Sequence, residues 1–123
     1  MTRLYHYTCA HAAPHITRER WLQGNVHPWL PDAGPLIHLT DLDAPDRNAL
    51  GLTSNLLMCD RTEYRVTVST SEAVHWPVFA RTIPREVRRA LEEAPGAMPM
   101  HWYVVRDMPV GVYAIEPTRK ALT

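Results

Sequence analysis

The chain has no apolar run long enough to cross a membrane as a helix, and no signal-peptide-like segment stands before its first strand-like stretch. No membrane partner is therefore expected, and a reducing cytoplasm is the expected setting. Cysteine is scarce. Cys9 and Cys59 are the only two and lie far apart, so no disulfide between them is expected. Net charge is missing as well. Thirteen basic and thirteen acidic side chains cancel, which removes any global pull toward nucleic acid or membrane. There is no Gly-rich phosphate loop, no GxSxG elbow, no CxxC and no HExxH. His11 and His15 are four apart but straddle Pro14, so no helical ligand pair forms and no metal site is expected.

What is present is proline, eleven in 123 residues, together with seven histidines. So many prolines favour short elements joined by stiff loops. The length fits one domain, expected over residues 1–116, with a polar tail over 117–123.

Arg3 to Thr8 (RLYHYT) reads as a first strand, with Leu4 and His6 on one face and Tyr5 and Tyr7 on the other. A helix is expected from Pro14 to Leu22, with Gly24 after its end. Asn25 to Pro35 reads as a loop and Leu36 to Thr40 as a second strand. A polar turn follows, with one helical turn at Asp46 to Leu50. Glu63 to Val68 alternates as a strand should, and Val74 to Phe79 reads as a strand broken by Pro77. Pro84 to Glu93 carries Val87, Ala90 and Leu91 at helical spacing. Trp102 to Val105 and Val110 to Ile115 read as a hairpin around Asp107 to Pro109. The expected core is Leu4, Leu36, Leu39, Tyr64, Val66, Val68, Val87, Leu91, Tyr103 and Val105. The fold class is α+β.

Four stretches carry residues with chemistry. Tyr5-His6-Tyr7-Thr8 offers a strand histidine that could bond a ligand hydroxyl, or could be a satisfied core residue. His38-Leu39-Thr40-Asp41 sets a hydroxyl and a carboxylate at a strand end, where a turn would use the same residues. Cys59 to Glu63 contains Arg61, whose fork of donors suits a phosphate or carboxylate, or a surface ion pair. His101-Trp102-Tyr103 offers aromatic faces for a flat ring, with core packing by Trp102 as the other reading.

The order of these pieces resembles small proteins of the ADP-ribosyltransferase-like fold. Leu4-Tyr5-His6-Tyr7-Thr8 is similar to their opening LYHxT strand, followed by Ile16 to Gly24 and by Leu36 to Asp41. Tyr103 to Asp107 and Val112 to Glu116 are similar to the closing strand pair of poly-ADP-ribose polymerases. The resemblance implies a split β-sheet core with one or two short helices and NAD in a central cleft. It implies His6 as ribose anchor, and a pocket lined by Tyr5, Tyr7, Thr8, His38, Thr40, Trp102 and Tyr103. It further implies ADP-ribosyl transfer to a nucleic acid or protein acceptor, and a toxin-like role. The family's late-strand glutamate should precede Tyr103, where this chain has Trp102 and, before it, His101. The catalytic set expected is then His6, Asp41, Arg61 and His101, with another acid in the glutamate's place. The alternatives are a non-catalytic nucleotide- or partner-binding domain, and an enzyme like the tRNA 2′-phosphotransferases.

Overall fold

The computed structural model describes residues 3–9, 12–43, 49–50 and 62–118. Its strands are β1 (Arg3–Thr8), β2 (Trp21–Leu22), β3 (Asn25–Val26), β4 (Pro35–Thr40), β5 (Tyr64–Ser69), β6 (Val74–His75), β7 (Trp102–Arg106) and β8 (Val110–Pro117). The helices are α1 (Ala13–Glu19), α2 (Trp76–Phe79) and α3 (Arg85–Glu92). The strands form an antiparallel sheet in the order β2-β8-β5-β1-β4-β7-β6, with β3 paired to β4. The α+β class therefore holds.

β1 runs beside β5 over its whole length but meets β4 at one bridge, Tyr5 to Thr40. The sheet is thus two halves joined at a thin seam. Their packing explains the sequence patterns. β4 and β7 are apolar on both faces because both faces are covered. Ile37, Leu39 and Val105 turn toward Leu4, Val66, Val68 and Val110 of the other half, while Leu36, Trp102 and Val104 turn toward Trp76, Phe79 and Leu91 of the helical side. The single core expected from the sequence is therefore two. Leu36, Val87 and Leu91 belong to the helical one, and Tyr64 joins neither.

Several expectations need correction. α1 stops at Glu19, because Arg20 turns left-handed (φ 61°) and Trp21–Leu22 pairs with Gly111 and Val110 of β8. That exchange buries Leu22, which a longer helix would have left on an exposed stripe. Gly24 is no helix end. A Cβ there would stand 2.9 Å from the Leu36 nitrogen, so it serves the close approach of β3 to β4. The 25–35 stretch holds β3 and a 3-10 turn at Pro31–Ala33. After β6, Pro77 sits in the first turn of α2, where a missing N–H does no harm. Pro84 is the residue before α3 rather than its first.

The largest correction is that β7 and β8 form no hairpin. β7 lies between β4 and β6, and β8 between β5 and β2. At the corner Asp107 takes a left-handed φ of 57° and its N–H donates to the Pro35 carbonyl at 3.1 Å, holding the turn to β4. Pro117 is still strand, and the Thr118 hydroxyl bonds the Thr62 and Glu63 carbonyls.

Candidate functional site at the sheet seam

The register Thr40↔Trp102 sets the residue after β4 beside the residue before β7. Asp41 and His101 are accordingly neighbours. The Thr40 hydroxyl donates to the His101 carbonyl at 2.7 Å and accepts from the Leu42 N–H at 3.2 Å, which fixes both backbones. His101 Nδ1 lies 2.7 Å from Asp41 Oδ1, and the two side chains are 40% and 36% exposed. An ionised carboxylate only accepts, so Nδ1 carries the proton and Nε2 of the neutral ring is the acceptor.

Tyr103 continues the group. Its phenol is held above the ordinary range by burial and then by the charge of Asp41. Its ring stacks on His75 at 4.7 Å and 24°. β6 supplies that histidine by pairing His75 with Tyr103, and His75 Nε2 donates to the Met100 carbonyl at 2.7 Å. Asp41, His101, Tyr103 and His75 thus form one half-exposed constellation of a carboxylate, two imidazoles and a phenol.

His6 lies at the seam from the β1 side, where its Nδ1 meets the His38 carbonyl at 2.9 Å. On the opposite face of β1, the Tyr7 hydroxyl sits between the Leu42 and Asp43 carbonyls at 2.8 and 2.6 Å. Burial raises the Tyr7 pKa beyond the normal phenol range, against the lowering effect of Arg65. Arg65 stands over the Tyr5 ring at 4.8 Å and pairs with Asp43 and Glu116. Tyr5 and Tyr7 therefore tie the exit of β4 to β1. Thr8 is buried.

Two expected site residues turn to the helical side. Trp102 is 1% exposed, its indole N–H donates to the Ala49 carbonyl at 2.8 Å, and its ring meets Trp76 edge-on at 5.2 Å. It is a core residue and presents no stacking face, because the even positions of β7 turn to the helical side. His38 shares the Leu36 side of β4 and lies edge-on to His27 at 5.9 Å. Arg61 lies outside the described residues, as do His11, Cys59 and most of the expected turn over Asp46 to Leu50. The sequence reading missed His75, Asp43 and Arg65. The only signal for Arg65 was its place on the polar side of an alternating strand. Among the described residues no three His, Cys, Asp or Glu side chains group as a metal site, and no helix is long and apolar enough to cross a membrane. No family model, curated protein or solved structure matches the chain.

Proposed function

We propose that the seam binds NAD and that the chain transfers ADP-ribose from it to a nucleic acid or protein acceptor, on a split sheet of the ADP-ribosyltransferase type. The observation that carries this reading is the Asp41–His101 pair, a carboxylate beside Tyr103 in a chain that lacks the late-strand glutamate. The donor set suits the substrate. His6 is the ribose anchor, and the stacked Tyr103–His75 pair supplies flat faces for a pyridine ring.

In the transfer, the bond from ribose C1′ to the nicotinamide nitrogen breaks and its electron pair leaves with nicotinamide. A lone pair of the acceptor forms the new bond to C1′. Asp41 offsets the positive charge that develops at C1′, a type of electrostatic help that is usually large. His101 holds that carboxylate through Nδ1–H, and its Nε2 receives the proton that the acceptor gives up.

The test is incubation with NAD and single-stranded DNA, duplex DNA, RNA, 2′-phosphorylated RNA and protein, read by mass spectrometry. One acceptor should gain the mass of one ADP-ribose as nicotinamide is released. Asp41→Asn should slow the reaction about 100- to 1000-fold, the usual loss for one charge-stabilising group, without lowering the melting temperature. NAD binding without turnover on any acceptor would assign the seam to a non-catalytic nucleotide reader. Removal of a 2′-phosphate would assign it to a phosphotransferase. No NAD binding by the folded chain in calorimetric titration would remove the reading.

A further inference from the structure

We infer that the outer face of the β1-β5-β8-β2 half, around Tyr113 and Trp21, binds single-stranded nucleic acid through stacking and phosphate contacts. The inference does not rest on the NAD reading and concerns a different surface.

Four observations converge there. The ladder between β5 and β8 pairs Thr67 with Ala114 and Val68 with Val112, so Tyr113 is the extra residue of a β-bulge. A bulge re-aims a side chain, and Tyr113 is 67% exposed, an unusual place for a large ring. On the neighbouring strand Trp21 is 52% exposed. It stands opposite Gly111, and a Cβ there would sit 3.9 Å from its Cζ3. The indole therefore lies over a strand position with no side chain and keeps an open face. Two aromatic rings, two strand positions apart on β8's side, are thus offered outward.

Cations accompany both rings. The Arg3 guanidinium lies 5.7 Å from the Tyr113 ring centre. Arg20, next to Trp21, reaches the Tyr113 carbonyl at 3.2 Å. Arg65, Arg88 and Arg89 are each ion-paired, whereas among the described residues Arg3 and Arg20 meet no carboxylate. Arg20 also occupies a left-handed backbone position where glycine would be at ease. Flat rings next to uncompensated guanidinium groups complement a ligand with flat rings and a polyanionic thread. Single-stranded nucleic acid has both, whereas a duplex hides its bases and an acidic peptide has no regular rings.

The experiment is fluorescence polarisation of labelled oligothymidylate and oligouridylate at low salt, with duplex DNA and poly-glutamate as further ligands and NAD left out. The full chain should bind the single strands with a dissociation constant of about 1–100 μM. Trp21→Ala and Tyr113→Ala should each weaken binding about 5- to 150-fold, with melting temperatures unchanged because both rings are exposed. Arg3→Gln with Arg20→Gln should lower the slope of log affinity against log salt by about 1.4, two phosphate contacts of a single strand. Three results would overturn the inference. They are no binding at about 100 μM protein, duplex or poly-glutamate bound as tightly as the single strand, or undiminished binding by both folded aromatic variants.

Discussion

Trp102 and Tyr103 are adjacent and aromatic, yet one is core and the other is at the site, because successive strand residues face opposite sides. Trp102→Ala would empty a fully enclosed volume and leave the Ala49 carbonyl with its bond from the Met98 N–H but without that from the indole. It should cost about 3–5 kcal/mol, measured by urea unfolding, whereas a ligand-stacking residue would be lost without such a penalty. Buried ionisable groups limit stability on both sides of neutrality. Burial holds the His27 imidazole below its ordinary 6.5, so the unfolded chain takes up that proton first and stability falls as pH drops below 6.5. Burial holds the Tyr7 phenol above its ordinary 10.0, so the unfolded chain loses that proton first and stability falls as pH rises past 10.0. Unfolding midpoints across pH should show both losses. His27→Gln should flatten the acid limb, and Tyr7→Phe the alkaline one while costing about 1 kcal/mol for the lost hydroxyl bond.

Among the elements, those set by local pattern were legible. Arg3–Thr8 is a strand with the bounds that its alternation predicts, and Tyr64–Ser69 and Arg85–Glu92 differ from their expected spans by a residue at each end. What could not be read was partnership between distant segments. Trp21–Leu22 continues a helical pattern by eye, and only β8, some ninety residues later, makes it a strand. The hairpin expected at Asp107 fails for the same reason. β7 has two apolar faces and needs the middle of a covered sheet, while β8 has one. Asp41 and His101 were each legible as candidates, but their contact follows from the β4–β7 register, and His75 from β6 pairing with β7. The end of α1 provides a test that joins stability to binding. Arg20→Gly relieves a left-handed backbone that glycine adopts without penalty. It should stabilise the fold by about 1 kcal/mol, seen as a higher melting temperature, while weakening oligonucleotide binding.

At the scale of the whole molecule, the two halves of the sheet share one β1–β4 bridge and are held besides by apolar packing between Leu4, Val66 and Val68 on one side and Ile37, Leu39 and Val105 on the other, and by the polar links of His6, Tyr7 and Arg65 to His38, Leu42 and Asp43. The Asp41–His101 pair lies just past the Thr40–Trp102 end of the β4–β7 ladder, close to the strand position where β4 meets β1. The order of strands also bears on the birth of the protein. β8 sits between β5 and β2, yet it is made after every other strand among the described residues. Until it arrives, β5 has a bare edge, Leu22 has no partner strand, and the Val66–Val68 face lacks Val110. This half of the sheet therefore stays open during synthesis until Val110–Pro117 has been made, and its closure joins segments far apart in sequence.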